Sequence, residues 1–324
     1  MKIILLTRKI SVTIYPKAPF NFDGTVYVPQ HFATPDFEWE SGVLWQSMNF
    51  NRTLYGLKIE NRGTANNPEI KLTVYSNRDV SKGELSAIKN ELNWRYGFDE
   101  NLAEFFDKFK NDKFLKPVFK KWKGMRSSCM NSLYELLMIS IVLQNATVRR
   151  TVQMMNNLLG KYGKRVKFDN KELAVYWNPL DLNNVTEPEL RILKVGYRDK
   201  MIKLISESFS KNEIDEFELR KVPTEDAKKE ITKLYGVGPA TAQNILAEYL
   251  RRHDIFDLKG RVWEQKILSR ILFNKKLVPA EKIIGEFEKR YGNWKGLAYY
   301  YIFTNLFWEH KEKNIEWLEK EIRL

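Results

Sequence analysis

The chain has 324 residues, 54 Lys and Arg against 41 Asp and Glu for a formal net charge of +13, three His and one Cys. Its length predicts roughly two domains at about 100 to 200 residues each, and 43% hydrophobic residues give both a core, which excludes a disordered chain. The single cysteine, Cys129, excludes intramolecular disulfides, all-cysteine zinc sites and cysteine-ligated iron–sulfur clusters, and three scattered histidines argue against an all-protein transition-metal site.

Up to about Ser76 the chain reads as β. Runs at Ile10–Tyr15, Thr25–Val28, Gly42–Met48, Thr53–Ile59 and Glu69–Tyr75 alternate apolar with polar residues and are rich in Val, Ile, Thr, Tyr and Trp. Turn clusters, the longest at 61–68, separate them and predict an antiparallel sheet. After Ser81 the period becomes helical. Ser132 with Glu135 and Thr186 with Glu189 have the spacing at which a helix start satisfies its own exposed amides. Helices are expected over Glu84–Trp94, Asn101–Asn111, Asp199–Ser208, Thr224–Leu234, Thr241–Arg252, Val262–Phe273, Ala280–Tyr291 and Lys295–Lys311. The fold class is therefore α+β: an antiparallel β domain over 1–79, then an all-α domain over 80–324.

The opening segment is charged too early for a signal peptide or a membrane span, and no later apolar run reaches about 18 residues. The expected setting is the cytoplasm, nucleoid-associated if the cell is prokaryotic, with no membrane partner. The basic excess calls for a polyanion, because clustered Lys and Arg gain affinity by releasing condensed counterions; a well-solvated surface is the bland alternative.

The most informative segment runs from Leu234 to Leu246, with the hairpin itself over 232–242. A helix leads to Leu234, Gly236 and Gly238 offer a tight turn without Cβ atoms, and Thr241 opens a second helix whose first amides lack intrahelical acceptors. Such a bend seats a phosphate on backbone N–H groups at the favourable end of a helix dipole. The candidate contacts are Gly236, Val237, Gly238, Ala240 and Thr241.

The string L-x-G-V-G-x-x-T-A-x-x-I-L resembles the helix-hairpin-helix motif, and the chain resembles the helix-hairpin-helix DNA glycosylase superfamily, most nearly its 8-oxoguanine DNA glycosylases. The resemblance implies a monomer that binds duplex DNA, flips a damaged purine opposite cytosine and excises it in base excision repair. It implies no required cofactor, but a Na+ or K+ held by the carbonyls of Thr232, Leu234 and Val237. Three further segments match it. In LeuGlnAsnAlaThrValArgArg at 143–150, Asn145 corresponds to a wedge filling the vacated base position and Arg150 to a reader of the opposite base. In GlyTyrArgAsp at 196–199, Tyr197 corresponds to the group that unstacks the strand and Arg198 to a second reader. At 293–307, Tyr299 and Phe303 stand at i and i+4 as the flipped-base pocket, with Asn244 beside them.

Two departures bear on the chemistry. A glycosylase stabilises oxocarbenium character at the sugar with a carboxylate, and bifunctional members add a Lys amine that forms a Schiff base. Ala240 stands where that Lys is expected, and alignment on Trp263 puts Lys259 at the Asp position, two residues after Asp257. Either Asp257 supplies the carboxylate in a loop reshaped by Gly260, or Lys259 is a relocated amine, or the scaffold only binds damaged or distorted DNA. The second departure is Thr34 at the place of a lesion-reading Gly, although Phe37 and Trp39 keep the pattern after it.

Overall fold

The computed structural model describes residues 3–321. The first part holds strands β1 (Ile3–Leu5), β2 (Arg8–Ile14), β3 (Phe37–Glu40), β4 (Val43–Phe50), β5 (Thr53–Asn61) and β6 (Ile70–Ser76), and a short helix α1 (Phe22–Val26). β2 to β6 form an antiparallel sheet in the order β2-β6-β5-β4-β3. Its alternating residues Leu44, Leu57, Ile59, Leu72 and Val74 are buried beneath α2 (Lys82–Tyr96), which contributes Ile88, Leu92 and Tyr96. The capping pair Ser81 and Glu84 sets the start of that helix.

Of the strand expected at Thr25–Val28, Thr25 and Val26 instead end α1, and Tyr27 and Val28 follow it outside any regular element. Asn21 caps this helix, its Oδ1 accepting from the Gly24 amide at 2.9 Å, while the Thr25 hydroxyl donates to the Asn21 carbonyl at 2.6 Å. Local side-chain capping thus overrides the β-branched composition.

The remainder follows as α3 (Ala103–Phe109), α4 (Leu115–Trp122), α5 (Leu133–Leu143), α6 (Val148–Tyr162), a hairpin of β7 (Lys164–Phe168) and β8 (Lys171–Val175), and then α7 (Glu187–Ile192), α8 (Arg198–Ser210), α9 (Glu216–Leu219), α10 (Thr224–Thr232), α11 (Pro239–Asn244), α12 (Val262–Phe273), α13 (Ala280–Tyr291), α14 (Lys295–Lys313) and α15 (Glu316–Glu319). The α+β architecture stands, but the helical part is not purely α. β7 pairs with β1 in parallel and with β8 in antiparallel fashion. Asp169 in the hairpin turn then accepts from Trp45 at 2.7 Å and from Lys58 at 2.9 Å, which fastens the small sheet to the large one. No helix among the described residues is long and apolar enough to cross a membrane.

Between the sheet and α5 lies Asp36, 2% exposed, with Oδ1 lacking any hydrogen-bond partner. Burial pushes its carboxyl up to about 6; the Thr34 hydroxyl and the Arg95 charge oppose this only in part. A raised carboxyl favours the folded state while protonated, and that contribution is lost as pH climbs from about 4 to about 6. Asp36→Asn is therefore expected to stabilise the protein at pH 8 by up to about 3 kcal/mol and to be near neutral at pH 4. Urea unfolding at the two pH values checks this.

Candidate nucleic-acid interface and active site

α10 and α11 meet at a bend whose backbone the sequence dictates. Gly236 has φ +84°, a left-handed backbone that favours glycine, and a Cβ there would also lie 2.7 Å from the Met201 side chain, which would have to shift. Gly238 is the N-cap of α11 with open space around its Cα, and Pro239 at the first helical position has no N–H to satisfy. Gly238, Pro239 and Ala240 are exposed, while Leu234, Val237 and Ala242 anchor the bend in the core. Among the described residues, the amides of Gly238 and Ala240 donate to no protein acceptor. Thr241 is buried, its hydroxyl accepting from Gln144 at 3.3 Å. On the inner side of the turn the Leu234 carbonyl takes only the Val237 amide, at 3.0 Å. No group of three or more His, Cys, Asp or Glu able to hold a metal occurs among the described residues.

The loop after α5 comes alongside. Gln144 also donates to the Gly236 carbonyl at 2.9 Å, bolting this loop to the hairpin. The next residue, Asn145, is exposed at φ +49° and donates to the Tyr197 hydroxyl at 3.3 Å. Tyr197 is 51% exposed. The two residues matched to the wedge thus meet in space. Arg198 behaves differently from its expected role. It is 7% exposed and donates to the carbonyls of Ile141 at 3.1 Å, Val195 at 3.3 Å and Gln144, so its guanidinium closes the end of α5 instead of facing a base. Arg150 is half-buried and donates to Gln153 at 2.7 Å and to the Lys194 carbonyl at 2.5 Å. Around this ridge Arg149, Lys194, Lys200 and Lys259 have no carboxylate within ion-pair distance among the described residues.

The 254–263 loop joins the hairpin through Gln243, which donates to the Asp257 carbonyl at 3.0 Å. The Asp257 carboxylate is half-buried and accepts the Lys259 amide at 3.1 Å. Gly260, at φ +76°, turns the chain so that the Arg261 amide reaches the Leu258 carbonyl at 3.0 Å; the Lys259 side chain is left exposed. The start of α14 presses on the same loop. The Gly296 amide donates to the His253 carbonyl at 2.7 Å, and a Cβ at Gly296 would stand 2.4 Å from the Ile255 carbonyl oxygen.

Tyr299 packs half-buried between Phe256 and Phe303, with ring centroids 5.1 Å from each. Phe303 is a correction: it is buried with Ile267, Leu306, Phe307 and Leu318, a core residue and not an open pocket wall. Asn244 accepts from the Arg261 guanidinium, which pairs with Glu264 at 3.0 Å. Glu264, 8% exposed, accepts from the Tyr299 hydroxyl at 3.0 Å as well. Burial and then the Glu264 charge push that hydroxyl well above its ordinary pKa, so it remains a donor. Sequence reasoning missed Gln144, Gln243 and Glu264. Only the last left a trace, its i,i+3 spacing from Arg261.

No family model matches the chain. The DNA-3-methyladenine glycosylase of Bacillus subtilis is 23% identical over 233 residues, 71% of this chain and 76% of that protein. The 3-methyladenine DNA glycosylase of Archaeoglobus fulgidus superposes with a TM-score of 0.73 at 19% identity, covering 91% of this chain and 99% of its own. The 8-oxoguanine glycosylase/lyase of Clostridium acetobutylicum, solved with duplex DNA bearing cytosine opposite 8-oxoguanine, superposes with a TM-score of 0.67 at 19% identity, covering 96% and 99%.

Proposed function

We propose that this chain, which has the fold of the helix-hairpin-helix DNA glycosylases and resembles them in sequence, is a DNA repair enzyme that excises a damaged purine from duplex DNA. The observation that carries this reading is the continuous ridge from Tyr197 and Asn145 through Gln144 to the bare amides of Gly238 and Ala240. A phosphate seated on those amides fixes the strand, and the ridge enters the stack at a set distance from it. The carbonyls of Thr232, Leu234 and Val237 would hold Na+ or K+ beneath the seat. Lys194, Lys200 and Arg149 flank the ridge as phosphate contacts, and Arg150 approaches the base left behind, cytosine in this reading.

The reaction is hydrolysis of the N-glycosidic bond. The C1′–N bond breaks, its electron pair leaves with the base, and water adds to C1′ while its proton ends on the departing nitrogen. Asp257, whose carbonyl the hairpin's Gln243 braces, supplies the carboxylate that stabilises the sugar's developing positive charge. Ala240 supplies no amine, so a Schiff base with lyase activity falls to Lys259 alone. A second reading, a scaffold that senses damaged or distorted DNA without chemistry, is favoured by that missing amine and by the engagement of the Asp257 carboxylate with the Lys259 amide.

Single-turnover assays on duplexes bearing 8-oxoguanine, methylated adenine or uracil opposite cytosine separate the two. Asp257→Asn is expected to slow excision by at least about a hundredfold while abasic-duplex binding is kept, and borohydride traps an adduct only if Lys259 attacks. Binding without turnover by the unaltered protein selects the sensor, and no binding rejects both readings.

A further inference from the structure

The hairpin helix does not continue as an α-helix. From Ile245 to Tyr249 it opens into a π-turn, closed by the Leu250 amide on the Ile245 carbonyl at 2.9 Å, a feature that tends to mark functional sites. This turn carries Glu248, whose side chain is 31% exposed, toward His31 Nε2 at 3.8 Å on the segment entering β3. The Glu248 charge also acts on the Tyr299 and Tyr300 hydroxyls and on Arg261, so it sits where the 254–263 loop, α14 and the N-terminal segment converge.

One further polar atom there has no partner. Gln30, the neighbour of His31, is pinned by its Nε2 on the Thr304 hydroxyl at 3.0 Å, and its Oε1 is buried without a donor. Buried groups left unsatisfied by the protein suit a ligand that satisfies them. Glu248 beside His31 and the unpaired Oε1 of Gln30 both offer acceptors here.

Resting on the glycosylase reading, we infer that Glu248 reads the extruded base and selects a guanine-type lesion. A carboxylate has acceptors only. The N1–H and N2–H groups of a guanine edge are two adjacent donors that match its two oxygens, whereas the N1 lone pair of an adenine edge faces them repulsively.

Binding to duplexes with a 2′-fluoroarabino sugar, which resists glycosidic cleavage, tests this without relying on turnover. Three duplexes carry 8-oxoguanine, 3-methyl-3-deazaadenine or a tetrahydrofuran abasic site, each opposite cytosine, and each lesion Kd is divided by the abasic Kd. The unaltered protein is expected to prefer 8-oxoguanine to the methylated adenine analogue by at least about tenfold, and Glu248→Gln, which turns one acceptor into a donor, is expected to erase that preference. Equal ratios in the two proteins, or a preference for the adenine analogue, overturn the inference. An unaltered protein that fails to bind the abasic duplex overturns the glycosylase reading itself, so the two failures are distinct.

Discussion

Gly238→Asp should melt no lower than the unaltered protein and yet lose DNA affinity by at least about a hundredfold at physiological salt. The backbone at this position, φ −86° and ψ 177°, suits any residue, and a Cβ meets nothing within 4 Å. Asp is among the best N-cap residues, and capping α11 with it in place of Gly contributes on the order of a few tenths of a kcal/mol. The same carboxylate takes the Ala240 and Thr241 amides that a phosphate would otherwise occupy. It also sets a negative charge beside the phosphate's own; at about 4 Å and an effective dielectric of about 20 that repulsion is on the order of 4 kcal/mol. Thermal melting and fluorescence anisotropy with an abasic duplex read the two effects separately. Retained affinity would mean that phosphate does not use this bend.

The bend was legible because its determinants are local: two glycines, a proline and a helix start within a few residues fix both shape and exposure. The β7–β8 hairpin is equally local, yet its pattern is masked in the sequence. Asp169 and Asn170 both have φ > 0 between alternating strands, the signature of a two-residue turn, and the surrounding helical period hid it. Arg198 illustrates what sequence does not hold. A Tyr-Arg pair at a helix start reads as two outward groups, but the carbonyls at the end of α5, more than 50 residues earlier in the chain, draw the guanidinium inward. The same applies to Glu248 and Gln30. Their meeting depends on how the segment before β3 crosses the helical part, which no spacing encodes. Asp257 and Lys259, alternatives for the reacting group in the sequence, lie on one turn with the Asp257 carboxylate holding the Lys259 amide.

The network that keeps these parts aligned makes the second large prediction. Glu91 on α2 is buried and accepts from Arg95 at 2.8 Å and from Arg220 at 2.7 and 3.0 Å. Arg220 in turn donates to the Tyr249 hydroxyl, and Tyr249 donates to Glu216 at 2.5 Å, whose Oε2 also takes the Leu133 amide at 3.0 Å. α2, α5, α9 and the π-turn that presents Glu248 are thereby tied at one point. Burial raises the Glu91 carboxyl, but the charges and hydrogen bonds of Arg95 and Arg220 outweigh this and hold it at about 2. Glu91→Gln leaves two buried guanidinium groups short of a counter-charge, which costs about 3 to 5 kcal/mol at pH 7. A depressed carboxyl stabilises the fold fully above its ordinary pKa, near 4.5, and loses that contribution as pH falls toward about 2. The gap between the two proteins in urea unfolding should therefore narrow between pH 7 and pH 3, whereas a penalty unchanged by pH would reduce Glu91 to a packing residue. Asp36 acts in the opposite direction over pH 4 to 6, so the summed contribution of these two carboxyls is greatest where Glu91 is still ionised and Asp36 is not yet fully so. Because Tyr249 is the last residue of the π-turn, amide exchange at 245–250 should quicken in Glu91→Gln before the protein melts, loosening the turn that carries Glu248 ahead of the rest of the fold.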